Sequence, residues 1–296
     1  MRAHAFKTAT LMAIAVPAAM AQPATTLDKV KSSGAITVAY RESSIPFSYL
    51  DDKAQPTGFG WEICGKVVEA VKKSTGRVDL KVQTQAVTSA NRIPLLSNGT
   101  IDIECGSTTN NSERQKQVAF ATNYFYTGTR FLVKAGTAVK SLDDLKGKPV
   151  VSTTGTTNYR VIRNLNEEKK LDIDLLGAKD HAESALMVQT GRAVAFAMDD
   201  ILLYGLRASA PNPADFAVVG EAIQVEPYAI MLRKDDPAFK KLVDDTIAGL
   251  VKSGEFEKLY KRWFQSPIPP KGINLNAPMS KELLENLKNL SDKPAT

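Results

Sequence analysis

The chain is poor in the residues that build metal centres and nucleophilic sites. Its 296 residues include two histidines, His4 and His181, and two cysteines, Cys64 and Cys105. Four such groups, scattered along the sequence, form no cluster at metal-ligand spacing. A Ser-His-Asp system is not legible either, because Asp180 stands next to His181 in the chain and is badly placed to orient its ring. The glycine-containing run Thr153-Thr154-Gly155-Thr156-Thr157 is not followed by Gly-Lys-Ser/Thr, which excludes a phosphate loop. No cofactor and no metal is expected.

A large excess of charge of one sign is also absent. Lys and Arg number 38 against 32 Asp and Glu, for a net +6. The basic residues are scattered, and no dense basic tract interleaves with aromatics, which argues against a nucleic-acid surface. A mild bias toward small anionic ligands is left. Long apolar runs are missing too. The one candidate, from about Ala9 to Ala18, falls short of the ~20 residues needed to cross a bilayer.

That run lies behind Arg2 and Lys7 and ahead of Ala19-Met20-Ala21, a small-x-small cleavage pattern. Residues 1–21 are therefore read as an export signal cut after Ala21. With no cysteine at the cut to carry a lipid, a soluble periplasmic or secreted monomer is expected. In an oxidising compartment Cys64 and Cys105 are expected to form a disulfide, with two buried thiols or a metal pair as the alternatives. Residues 22–296 exceed the usual size of one hydrophobic core, which favours two lobes.

Periodicity gives the organisation. Ala35–Tyr40 reads as a strand, Ile63, Val67, Val68 and Val71 as one face of a helix, and Leu80–Thr84 as a strand. Ile93–Ser97 reads as a short helix and Ile101–Glu104 as the next strand, so the order is β-α-β-α-β, that of a parallel sheet with helical crossovers. The pattern restarts at Thr129–Val133, followed by strands at Pro149–Val151, Asp174–Gly177 and Val194–Met198 with helices between them. After Pro227 comes one more strand, then two amphipathic helices broken at Ser253-Gly254. A further helix over Ser280–Leu290 has no assigned role. Polar residues gather beyond the strand ends, the edge at which open α/β sheets bind ligands.

One stretch stands out, Asp102 to Arg114. It passes from apolar strand to hydroxyl-rich turn to arginine. Ser107, Thr108 and Thr109 offer hydroxyl and backbone donors, and Arg114 a planar fork that can grip a carboxylate. The competing reading is a polar turn followed by a solvated helix face.

In that order the segments resemble a known family. Arg41-Glu42-Ser43-Ser44, Pro46-Phe47-Ser48-Tyr49, Asn91-Arg92-Ile93-Pro94-Leu95-Leu96, Glu104 to Arg114, Gly155-Thr156-Thr157, Ala178-Lys179-Asp180-His181, Gly191 to Asp200, Leu232 to Pro237 and Pro267 to Lys271 are similar to the periplasmic solute-binding proteins of polar amino-acid ABC importers. The glutamate/aspartate-binding members match most fully. The resemblance covers nearly all of residues 22–296. It implies a type II two-lobed α/β fold, each lobe a mixed, mostly parallel sheet with flanking helices, closing like a clamshell on two hinge strands. Lobe 1 would span 28–128 and 228–270, lobe 2 129–227, and a tail 271–296, with hinges near Thr127–Arg130 and Glu226–Tyr228.

The resemblance also implies a ligand set. Arg114 and Thr109, aided by the helix start at Thr157, hold the α-carboxylate. Ser107 and Asp199 take the ammonium, and Arg41, Ser89, Arg92 and His181 surround the distal carboxylate of L-glutamate or L-aspartate. Three arginines against Asp199 give +2 facing a ligand of −1. A neutral amino acid would leave Arg41 and Arg92 without an anion, at several kcal/mol if each charge-assisted bond contributes ~1.5–3 kcal/mol. The implied partners are a membrane permease and its ATPase. Each residue has a duller reading: Arg41 and Arg92 as solvated or capping charges, Asp199 as a helix cap, His181 as a satisfied polar group. The sequence departs from the family pattern at Tyr40, where histidine is usual, and at Cys64, which gives Cys105 a partner. Rival readings are a glutamine/asparagine ligand, a prephenate- or arogenate-dehydratase-like enzyme on the same fold, and a sensory module.

Overall fold

The structure, a computed structural model, describes residues 25–295, so the export signal and its cut lie outside the described residues. Helix α1 (Thr26–Ser33), capped by Thr25 Oγ1 on the Asp28 amide, leads into β1 (Ala35–Tyr40). Three short strands, β2 (Ser43–Ser44), β3 (Ser48–Leu50) and β4 (Pro56–Thr57), form a small antiparallel sheet of their own. Helix α2 (Phe59–Thr75) then turns Ile63, Val67, Val68 and Val71 into the core, as their spacing requires. Next come β5 (Lys81–Ala86), α3 (Arg92–Ser97), β6 (Ile103–Glu104) and α4 (Ser112–Gln115). Both β5 and β6 pair parallel with β1, which is the crossover order read from periodicity.

Strand β7 (Val118–Lys134) is one continuous element where the sequence reading begins a strand only at Thr129. Polar residues interrupt its apolar pattern because their partners are remote. The Thr122 amide donates to Asp244 Oδ1 at 2.7 Å, and the Asn123 amide to the Ser291 carbonyl at 3.0 Å. The second α/β unit follows: β8 (Pro149–Thr153), α5 (Thr157–Lys169), β9 (Asp174–Ala178), α6 (His181–Gln189), β10 (Ala195–Asp199), α7 (Asp200–Ser209) and β11 (Phe216–Val219). Strand β12 (Val225–Arg233) returns to the first unit, which α8 (Pro237–Lys252) and α9 (Glu255–Phe264) complete.

The sheet order is β5-β1-β6-β12-β7-β10-β8-β9, with β11 on β7. Strand β7 belongs to both lobes: Val118 to Gly128 pair with β12, and Thr129 to Lys134 with β10 and β11. The chain passes between the lobes along β7 and returns along β12, so the sheet is mixed at its centre and parallel on both wings. In lobe 1, Phe47, Phe59, Phe125, Tyr228, Tyr260 and Phe264 pack as one aromatic cluster. Lobe 2 has a core of its own, built from Phe131, Val133, Leu145, Val150 and Ile162.

Cys64 and Cys105 are disulfide-bonded, with Cα atoms 5.8 Å apart, tying α2 to the residue after β6. In the chain-entropy picture a loop of this size contributes about 4 kcal/mol. The tail is docked. Helix α10 (Lys281–Asn289) places Asn286 Nδ2 on the Asn123 carbonyl at 2.7 Å, and the Ala295 amide donates to the Asn110 carbonyl at 2.9 Å.

Candidate functional site

The carboxyl ends of the parallel strands of both lobes point at one cleft. Tyr40 closes β1 and is followed by Arg41; Glu104 closes β6 and opens the turn to Ser107; Thr153 closes β8 before the loop to α5; Asp199 closes β10. All nine residues of the implied ligand set are buried, and all but Arg41 line a common space with Thr156, Asn158, Met198 and Leu202. Arg41 lies behind two of these residues: its Nη2 donates to Ser89 Oγ at 2.9 Å and lies 3.4 Å from His181 Nε2. The cleft is closed around about 10 Å³, room for about one water.

Burial removes one of the duller readings. Arg41 and Arg92 are each 2 % exposed, so neither is a solvated charge. Burial, and then the charge of Arg92, pulls the Arg41 guanidinium down to about 9; Arg114 is brought to about 9 by the same two causes. Asp199 holds the cap position of α7, but its side chain caps nothing. It accepts from Asn158 Nδ2 at 2.7 Å and from the Tyr228 hydroxyl.

His181 opens α6 and is fully buried. Burial, with Arg41 and Arg92 close by, holds its ring well below the usual histidine range, so it is neutral. Its tautomer follows from its neighbours. Arginine can only donate, so Nε2 accepts from Arg41 and Nδ1 carries the proton, which it gives to Thr153 Oγ1 at 2.9 Å. The Thr153 hydroxyl passes its own proton to Ser184 Oγ, which donates to the Asp180 carbonyl, both at 2.9 Å. Thr153 and Ser184 thus fix the face His181 turns to the cleft. Neither stood out in the sequence, since a hydroxyl signals this role only through a tertiary partner.

Two carboxylates change the charge count. Glu104, fully buried, lies 3.9 Å from Arg92 Nη1 and accepts from the Thr108 hydroxyl, which itself receives Arg92 Nη1 at 2.5 Å. Glu226, at the start of β12, accepts from Thr157 Oγ1 at 2.6 Å and from Thr109 Oγ1 at 3.0 Å. The sum of three arginines against Asp199, +2, is therefore incomplete, since two further buried carboxyl groups, Glu104 and Glu226, stand behind the walls. Glu104 carried a legible signal, a charge at the end of the strand read over Ile101–Glu104 that must find a partner when buried. Glu226 carried none. It sits near Asp199, and burial, followed by the Glu226 charge, pushes the Asp199 carboxyl up to about 7.

The Arg114 end of the cleft is braced from both lobes. Arg114 Nη1 donates to the Thr109 carbonyl at 2.9 Å, and Nη2 crosses to the Gly155 carbonyl of lobe 2 at 3.2 Å. Gly155 is required there: its φ is +80°, and a Cβ would stand 2.5 Å from Ala90 Cα across the cleft. Arg41 Nη1, Arg92 Nε and Ser107 Oγ are buried without a hydrogen-bond partner. Unpaired buried donors are costly, and three on one cleft suit an anionic polar ligand. Among the described residues, no group of three or more His, Cys, Asp or Glu could hold a metal ion, and no helix is long and apolar enough to cross a membrane.

Known proteins are similar to this chain in sequence and fold. The chain is 52% identical to the L-glutamate/L-aspartate-binding protein of Pseudomonas aeruginosa, over 91% of this chain and 90% of the relative. It is 49% identical to the glutamate/aspartate import solute-binding protein of Escherichia coli, over 96% of each. The crystal structure of a cysteine-binding protein from Campylobacter jejuni superposes with a TM-score of 0.71 at 25% identity, covering 81% of this chain and 93% of that one. With residues 36–266 matching the family model, the chain belongs to the bacterial extracellular solute-binding proteins, family 3.

Proposed function

We propose that this chain is the periplasmic solute-binding component of an ABC importer, capturing L-glutamate or L-aspartate by closure of its lobes and delivering it to a membrane permease and ATPase. Residues 1–21 would direct export and be cut after Ala21. The observation that carries the reading is the convergence of three buried guanidiniums on one cleft, with Arg41 Nη1 and Arg92 Nε at its distal side still unpaired. In this reading Arg114, Thr109 and the start of α5 at Thr157 hold the α-carboxylate, taking over hydroxyl donors that Glu226 accepts here. Ser107 and Asp199 receive the ammonium. Arg41, Ser89, Arg92 and His181 receive the distal carboxylate; neutral His181 accepts from Arg41 and so orients it. The chain performs no chemistry on its ligand. The identities of 52% and 49% to glutamate/aspartate-binding proteins support the same ligand class.

Calorimetry against glutamate, aspartate, glutamine, asparagine and arginine tests this. The two acidic amino acids should bind at least about 100-fold more tightly than their amides, since each lost charge-assisted contact costs ~1.5–3 kcal/mol. Amides that bind as well as the acids would overturn it.

Binding should also release a proton. Asp199, held near 7 by burial and by Glu226, is mostly protonated at pH 6, and an ammonium beside it favours the carboxylate. Because the free-state value is the raised one, affinity is complete above about pH 7 and falls as pH drops below it. At pH 6 the binding enthalpy should shift with buffer ionisation enthalpy, and Asp199→Asn should abolish that shift. An enthalpy independent of buffer in the wild type would refute the ammonium assignment.

A further inference from the structure

We infer that Lys271 and Gly205 form a closure latch, an affinity determinant built between the lobes and touching no ligand atom. Lys271 follows the Pro267 to Pro270 segment, which lobe 1 anchors: the Tyr49 hydroxyl donates to the Pro269 carbonyl at 2.7 Å, and Ile268 and Ile273 exchange backbone bonds at 2.8 and 3.1 Å. From there Lys271 reaches across to lobe 2. Its Nζ donates to the carbonyls of Ser209 and Ala210 at 2.7 and 2.9 Å, the last residue of α7 and its cap. A helix leaves its final carbonyls unpaired and its carboxyl end partly negative, so an ammonium there is favourable. The bonds exist only when the lobes are together.

The second element lies on the same helix. Gly205, on the face of α7 turned to lobe 1, lies under the Ile45 carbonyl; a Cβ would meet that oxygen at 2.5 Å, its carbon at 3.0 Å and Ile45 Cγ2 at 2.9 Å. A backbone oxygen has no rotamer to yield with, so a methyl group holds the lobes apart. The absence of a side chain at residue 205 lets α7 seat, and Lys271 secures its end. Both act on the closed population, and apparent affinity scales with that population.

This inference rests on the proposed closure around an amino acid, and two variants test it separately from that reading. Gly205→Ala replaces a helical glycine by a better helix former. The ligand-free chain should melt about 2 °C higher, while the Kd for L-glutamate rises by about ten-fold or more. Lys271→Met keeps the stem and removes the charge. It should raise the Kd about three-fold, equally for glutamate and aspartate, with the ligand-free melting temperature unchanged. Opposite signs in one variant are not what general destabilisation produces. Unchanged Kd values in both variants, or a fall in ligand-free melting that matches the loss in the complex, would overturn the latch. A wild type that binds neither acidic amino acid overturns the functional reading alone; the latch is then read on whichever amino acid of the same screen binds, because neither residue touches the ligand.

Discussion

Arg114→Ala should weaken every amino-acid ligand, acidic or neutral, by about 100-fold or more. The guanidinium is buried, spans from the Thr109 carbonyl to the Gly155 carbonyl of the opposite lobe, and is assigned to the one group all amino acids share. Truncating one partner of a buried charge pair costs ~2–5 kcal/mol, and each 1.4 kcal/mol is about ten-fold. Two losses combine here, the grip on the α-carboxylate and a bond that helps hold the lobes closed. Calorimetry against glutamate and a neutral amino acid at high concentration reads both. If only the acidic ligands lost affinity, Arg114 would belong to the distal end of the site and the assignment would reverse.

Arg92→Ala should separate ligand classes and also damage the fold. As a distal donor, Arg92 should cost glutamate and aspartate far more than a neutral amino acid. Its neighbour Glu104 has no solvent exposure and lies 3.9 Å from Arg92, so the alanine removes the guanidinium that faces this buried carboxyl group. Breaking such a pair typically costs ~3–5 kcal/mol, which in a chain of this size lowers the melting temperature by about 10 °C. Combining Arg92→Met with Glu104→Gln removes both charges and should restore most of that temperature while leaving acidic ligands weak. Recovery of glutamate affinity in the double variant would mean that Arg92 acts only by neutralising Glu104. Equal losses for acidic and neutral ligands would refute its distal role.

The wings of the sheet were legible because their strands are apolar and their helices periodic, as in Ala35–Tyr40 and in Ile63, Val67 and Val71. Strand β7 was legible only from Thr129, since Thr122 and Asn123 break its pattern and are satisfied by Asp244 and Ser291, more than a hundred residues away. Strand β11, four residues long, is too short for alternation to declare itself. In the site, residue type marked the arginines and the hydroxyl turn from Ser107 to Thr109, while the resemblance brought the two halves together. What stayed hidden were groups whose meaning lies in a partner: Glu226 between two threonines, Thr153 and Ser184 behind His181, and Gly205 beneath the Ile45 carbonyl.

The bond between Cys64 and Cys105 reaches further than stability. Cys105 lies between Glu104, which engages Arg92 through Thr108, and Gly106, whose carbonyl receives the Tyr124 hydroxyl. It is the anchor from which the turn to Ser107 and Thr109 departs. Protein made in a reducing cytoplasm, where thiols stay unpaired, holds that turn without its covalent anchor. For this chain the redox history of a preparation belongs among the conditions of a binding measurement, beside pH and salt.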